Sequence, residues 1–344
     1  MKNITFHTSH YTFHISFLRE AFSIFIGVKP VSSKLLAVLV LALVCLVQFT
    51  HAAPFDPPTW RDSTWDYRSE DSVDIKPEVS WWKVGAVGGL TLSSYAAAYV
   101  FVFAKGWWDN DSSHFHFEND FDYALNLDKL GHFAAGVILG ESFYEGYRWA
   151  GLTEFQSYLF AGISAMATHI AIDVKDGYSP AWGFSIFDVL SGSIGGFLPM
   201  AERYVPVFKY VDLKWSYWIN TTYYYDKTTH RGDAIFTDDY VNQTFWASIK
   251  PYRLLPAGAR RYYPSWLAFA VGMSIDETAM DFHAPDKDRH REVYLAFDYD
   301  LEAFRPQSRM ARTFIKYLNY FKLPAPAIQV YPEFNWYLLY PIKF

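Results

Sequence analysis

The chain has one cysteine, Cys45, in 344 residues. That excludes an intramolecular disulfide framework and any metal centre built on several thiolates. Positive charge is also scarce: 30 Lys and Arg stand against 36 Asp and Glu, a formal net charge of -6. Four of the cations and one of the acids fall in the first 52 residues, which leaves 26 against 35 in the remainder. Such a surface does not attract phosphate backbones, so a nucleic-acid partner is excluded on charge. Absent too are the H-E-x-x-H pair of zinc ligands and the G-x-S-x-G nucleophile turn, which removes two common routes to hydrolysis. Apolar material, in contrast, is plentiful. Hydrophobic residues make up 51% of the chain and aromatic residues 20%, ample for a large core.

Residues 35–49, LLAVLVLALVCLVQF, follow Lys34 and run into THAAP. A cation, an apolar run and the small residues Thr50 and Ala52 give a secretory signal over residues 1–52, cleaved after Ala52 or Ala53. An uncleaved anchor helix is the alternative. Cys45 follows Val44 rather than a small residue, so it does not have the form of a lipid-attachment cysteine. Residues 53–83 are rich in Pro, Asp and Ser without a period and read as a linker. Residues 84–104 then lack charge over about the length that crosses a bilayer core. Trp81, Trp82 and Lys83 precede this run and Lys105, Trp107 and Trp108 follow it, the collar expected at a membrane interface. A buried helix in a soluble bundle is the competing reading. Three more apolar helices are expected at about 129–149, 154–174 and 186–202. Gly192 and Gly196 lie four apart on the last of them, which suits close helix contact. Together these form a helical core over residues 84–204.

Beyond residue 205 the period changes to two. Leu213, Trp215 and Tyr217 alternate with Lys214 and Ser216, and similar patterns occur in TFWASIKPY, SWLAFAVGMSI, EVYLAFDYDL and the terminal IQVYPEFNWYLLYPIKF. The expected class is therefore α+β: an N-terminal four-helix membrane-type bundle, then a C-terminal antiparallel β region of about five strands with one helix, SRMARTFIKYLNYFK. Five strands cannot close a membrane barrel, which takes at least about eight. The sheet is expected to pack on the helices or to lie at a membrane surface.

Chemistry concentrates at helix ends. Asp128 and His132 are four apart and share a helix face, as do His169 and Asp173, with Asp176 continuing that face. Ser185 and Asp188 open the last helix at capping-box spacing. With Lys129 these residues give carboxylates, imidazoles, an ammonium and a hydroxyl at one end of the bundle, where acid/base chemistry becomes available. Each also has a plain structural role: Asp128 and Ser185 as caps, the histidines as hydrogen-bonded interior residues, Asp173 and Asp176 as a solvated end. Ionisable groups in apolar helices are costly unless paired, and three such helices in succession favour one cluster. Asp128, His132, His169 and Asp173 could be read as metal ligands, but no recognised metal spacing accompanies them. No cofactor or metal is assigned. The stretch HFHFENDF, residues 114–121, suits an aromatic interfacial loop or short strand better than a site built on His114 and His116.

The order HFHFENDFDYALNLDKLGHF, then DVKDGYSPAWGFSIFD, then a small-residue helix with Gly195, resembles the YfiM-like family of uncharacterised bacterial envelope proteins, a domain of unknown function numbered 2279. The resemblance covers about residues 105–200, and LNYFKLPAPAIQ is similar to the C-terminal region of that family's longer members. A more remote similarity links the D-K-x-x-H order to the VanZ-like membrane proteins. On the first resemblance Asp128, Lys129, His132, Asp176, Gly177, Gly183, Ser185 and Asp188 match motif positions. Asp173 stands where Glu is usual and Gly192 where Asn is usual. The resemblance implies an exported envelope protein, and a cleaved signal favours the outer membrane or periplasm over the inner membrane. The resemblance implies no particular reaction. The expected role is structural or accessory in envelope maintenance, with membrane lipid and other envelope proteins as partners. The alternative is an enzyme acting on a lipid head group or envelope glycolipid, with His132 as general acid/base, Asp188 or Asp173 assisting it and Lys129 neutralising a phosphate.

Overall fold

The computed structural model describes residues 78–98, 113–223, 236–280, 289–304, 306 and 308–343. The expected signal segment 1–52 with Cys45, the linker up to residue 77 and positions 99–104 of the first expected helix lie outside the described residues. The fold is α+β, helices first and an antiparallel sheet after them.

Among the described residues four α-helices of more than two turns precede the sheet: α1 Trp81–Ala98, α2 Leu127–Trp149, α3 Glu154–Asp176 and α4 Ile186–Tyr204. The first begins at Trp81 rather than residue 84, so the end of the expected linker is already helical. The start of α3 is set by a capping box in which Thr153 and Gln156 satisfy each other's backbone N–H groups. Ser185 caps α4 by accepting from the Asp188 amide. No side chain caps α2. Instead the chain enters it through a left-handed turn, with φ of 47° at Ala124, 50° at Leu125 and 68° at Asn126. Non-glycine residues in that region cost on the order of 1–3 kcal/mol each and need support from outside. Arg291, from the sheet, supplies it by donating to the Leu125 carbonyl at 3.0 Å and to Asn126 Oδ1 at 2.7 Å.

The expected close approach of helices is present. A Cβ at Gly136 or Gly140 of α2 would collide with the backbone of Gly192 or Gly196 of α4, and one at Gly195 would collide with the Phe133 carbonyl. Helices α2, α3 and α4 thus form a tight unit, while α1 leans on α2 through Val87 against Gly146 and leaves Trp81, Trp82, Leu90 and Leu92 exposed. This is a three-helix unit with an outlying fourth helix rather than an even four-helix bundle. Among the described residues one helix, α3, is long and apolar enough to cross a membrane by length and composition. Its His169 and Asp173 are buried between α2 and α4, which suits the inner helix of the unit.

The sheet has six strands rather than about five: β1 Val211–Tyr217, β2 Gln243–Ile249, β3 Leu267–Ile275, β4 Arg291–Tyr299, β5 Ala325–Tyr331 and β6 Asn335–Tyr340. They follow each other in an antiparallel meander. The terminal alternating stretch is two strands, because the chain turns at Pro332–Phe334. A helix, α5 Arg309–Asn319, precedes β5. The meander curls until strands far apart in it touch: Thr244 Oγ1 of β2 lies 2.7 Å from the Tyr340 hydroxyl of β6. The outer edge of β1 is covered as well, since Trp215 N–H donates to Tyr320 O and Lys322 N–H to Trp215 O.

The two faces of this curled sheet are inverted relative to a soluble protein. Its concave side buries Lys214, Ser216, Thr244, Ser248, Asp298 and Gln329 beside Trp246, Tyr294 and Tyr340. Lys214 and Asp298 pair at 3.0 Å with side chains 1% exposed, and Lys214 also donates to the Tyr299 carbonyl. Leu213 and Trp215 face outward toward α2, while farther round Phe269, Leu295, Phe297, Ile328 and Leu338 are 40–62% exposed. The described residues thus supply six strands, where a membrane barrel takes roughly eight or more.

Replacing Gly136 by Val should lower the unfolding free energy by about 1–3 kcal/mol, because the α2–α4 backbones must separate. Gly88→Ala, where nothing lies within 4 Å of the added Cβ, should leave it unchanged or raise it slightly. Denaturant midpoints of the two variants decide.

Candidate functional site

The HFHFENDF segment is extended where it meets the start of α4. His116 N–H donates to Gly177 O, Glu118 N–H to Phe184 O and Phe184 N–H back to His116 O. Phe115, Phe117 and Phe184 pack together there, with Phe115 also against Tyr178. Of the two readings of this stretch, loop or short strand, the fold gives an extended loop with one isolated bridge, Phe117 to Phe184. His116 Nδ1 lies 3.1 Å from the His114 carbonyl, so these two histidines serve the segment itself. What the segment delivers is Asp120.

Lys129 of α2 is the centre of the site. Its Nζ lies 2.7 Å from Asp120 Oδ2, 2.7 Å from Asp128 Oδ2 and 2.6 Å from Asp188 Oδ1. The carboxylate oxygens of these three acids lie within 4.8 Å of one another, a spacing that suits a cation. That cation is the ammonium, whose pKa is raised by Asp128 and Asp188 against the opposing effect of burial. Ser185 Oγ donates to Asp120 Oδ1 and accepts from the Asp188 amide, so the cap of α4 is part of the same network. Asp173 Oδ1 accepts from the Ser185 amide at 3.2 Å.

Two imidazoles complete the cluster. His132 Nε2 lies 3.7 Å from Asp188 Oδ2 with 22% of its side chain accessible, and its ring stands 5.7 Å from that of His169. His169 is buried with neither ring nitrogen hydrogen-bonded. Its ring presses on Gly192, where any Cβ would overlap it. Gly192 is thus the residue that admits His169.

One ammonium cannot balance every carboxylate, and the acids respond by keeping protons. Burial pushes Asp128 up to about 7 and Asp188 up to about 8, the latter helped by its hydrogen bond with Asp120 and the Asp128 charge. Asp173 is pushed up to about 9 by burial and by the charges of Asp176 and Asp188. For Asp120 burial is outweighed by hydrogen bonds from Asp188, Lys129 and Ser185, and its pKa is lowered. Asp120 and Asp188 thus hold one proton between them. His132 is driven down to about 3 by burial and the neighbouring His169 and Lys129, and His169 to about 4 by burial. Both imidazoles are neutral at physiological pH.

Asp128, Lys129, His132, Asp173, Ser185 and Asp188, all expected from the sequence, come together here. Asp176 stays at the partly buried end of α3 and reaches the cluster through its charge on Asp173. Asp120 was not among the expected residues. Its signal is faint: one acid within an aromatic, non-periodic loop before the D-K pair.

Residues 105–200 match the family model described as Predicted periplasmic lipoprotein (DUF2279). The matched segment holds the cluster from Asp120 to Asp188, and it bears out the likeness to that family; the remoter one to VanZ-like proteins is not carried by it. The match supports an exported, envelope-associated protein. No curated protein and no solved structure matches the chain.

Lys129→Met should cost about 3–5 kcal/mol of stability, since it strands buried carboxylates without their counter-ion. The pH dependence of folding gives a second check. Asp128, Asp173 and Asp188 hold protons in the folded state up to about 7, 9 and 8, whereas unfolded carboxyls ionise near about 4. The folded chain therefore binds more protons, and this contribution is lost as pH rises through that window. The histidines act in the opposite sense: their contribution is present above about 6.5 and lost as pH falls toward about 3 and 4. Between about pH 6.5 and 8 the three carboxyls outweigh Lys322, whose pKa burial lowers to about 8 and which acts in the opposite sense, so the thermal midpoint should fall across that range. Asp173→Asn should flatten the decline, as read by melting curves at each pH.

Proposed function

We propose that this chain is an exported cell-envelope protein with a structural or accessory role, seated against membrane lipid by the outward apolar face of its sheet. The observation that carries this reading is the inverted sheet: its charges are paired inside, and Phe269, Leu295, Phe297, Ile328 and Leu338 are turned out. Exposed apolar patches of this continuity mark protein or membrane contact. The family match of the helical segment supports the compartment. Other envelope proteins are further partners on this reading, and the ionic cluster serves to lock the helices that carry the sheet.

The geometry of Lys129 favours a lock over a phosphate site. Its ammonium already has three carboxyl partners within 2.7 Å, which leaves it no free face for a phosphate. A second reading, an enzyme acting on a lipid head group or envelope glycolipid, rests on His132. It retains surface access and stands 3.7 Å from Asp188 Oδ2, the placement of a general acid/base, while its lowered pKa makes it a weak base near neutral pH.

Sedimentation with vesicles of phosphatidylethanolamine and phosphatidylglycerol tests the first reading. The double variant Leu295→Ser, Phe297→Ser should bind about tenfold more weakly while melting like wild type. Equal binding by both proteins would remove the outer face as a lipid contact. In cells carrying His132→Ala as the sole copy, the lipid profile should match wild type; a shift equal to that of a deletion strain, with the variant folded, would favour the enzyme.

A further inference from the structure

Between α2 and the outer face of the first strands of the sheet lies a cavity of about 510 Å³, partly open to the surface. Helix α2 contributes Leu130, Phe133 and Val137, and the sheet contributes Trp215, Ala247 and Val271. The volume falls within the roughly 300–1,000 Å³ of small-molecule sites. Two other lining residues turn their polar ends away from it: Lys214 Nζ donates to Tyr299 O at 2.6 Å and Trp246 Nε1 to Ser216 Oγ at 2.9 Å, both on the concave side. The lining therefore offers no free charge among the described residues.

A long apolar body without charge suits this lining. A methylene fills about the volume of a water molecule, on the order of 30 Å³, so the cavity has room for an unbranched chain of roughly 16 carbons.

The surroundings of the cavity select the source. Val271 lines the cavity, is itself 44% exposed, and pairs across the ladder with Leu295 on the outward apolar face. The lining is thus continuous with the surface assigned above to membrane lipid. We infer that the cavity holds one acyl chain of a membrane lipid. The inference rests on the lipid-facing reading of the sheet and adds to it a discrete, stoichiometric site.

Two measurements on the full chain test it. The first titrates cis-parinaric acid, a fluorescent fatty acid; the second counts, by mass spectrometry, the phospholipid retained after separation from phosphatidylethanolamine and phosphatidylglycerol vesicles. Wild type should show one saturable parinarate site and retain one phospholipid per chain. Ala247→Phe and Val271→Trp each fill the cavity from a partly exposed position, and each should weaken parinarate binding at least about tenfold with cooperative melting retained. Absence of a saturable site, or equal binding by wild type and both filled variants, overturns the inference. Binding of parinarate with no phospholipid retained overturns the lipid source. A dimer that excludes parinarate and is broken by Ala247→Phe assigns the groove to a second copy and overturns it likewise. Vesicle sedimentation of the Leu295, Phe297 variant reads the outer face independently, so loss of this site and loss of the lipid-facing reading are distinguishable.

Discussion

A single ammonium held among three carboxylates organises the helical half of this protein. Taking Lys129 and its acids out of water is expensive, and the attraction between them repays the cost only while the geometry is close. Closeness is provided by glycine. Gly136, Gly140, Gly192, Gly195 and Gly196 let α2 and α4 meet backbone to backbone, which brings Asp188 to Lys129. The same demand fixes the aromatic segment, because Asp120 reaches the ammonium only while Phe117 and Phe184 run side by side. It also couples a helix cap to the site, since the hydroxyl that starts α4 bonds to Asp120. The excess of acids over bases is absorbed as bound protons rather than as exposed charge.

The sheet solves the reverse problem. Its strands alternate as strands in a soluble domain do, but the polar set points inward and is neutralised there. Asp298 serves Lys214 at 3.0 Å and lies 4.0 Å from Lys322, whose pKa burial pushes down to about 8. Asn319 bridges Lys214 and the Leu301 amide, tying the end of α5 to the same interior. On α5 itself Lys316 pairs with buried Glu141 of α2, so the two halves share a second internal ion pair. Both halves thus keep charge inside and place apolar side chains outside.

Helix positions and most of the cluster were legible in the sequence because each rests on local chemistry. Apolar periodicity marks α2, α3 and α4, capping side chains mark two of their starts, and i, i+4 spacing places Asp128 over His132 and His169 over Asp173. Asp120 was hidden because a loop has no period, and its role depends on a pairing with residue 184 that no local rule states. Alternation shows that Lys214 and Ser216 share a face but cannot tell which face closes inward; that follows from the curl of the whole meander. The terminal strand was read as one because apolar alternation continues across Pro332, and the turn there depends on β5 and β6 pairing. Gly192 in place of the family's usual Asn looked like a loss from the site. In the fold it is the space that His169 occupies.

The left-handed turn at Ala124–Asn126 has a consequence for the order of assembly. It aims the start of α2, and hence Asp128 and Lys129, yet the guanidinium that holds it belongs to β4. A chain made from its N-terminus presents the helical segment long before Arg291 exists. Until then the turn lacks its brace, so completion of β4 is what fixes the angle at which the chain enters α2.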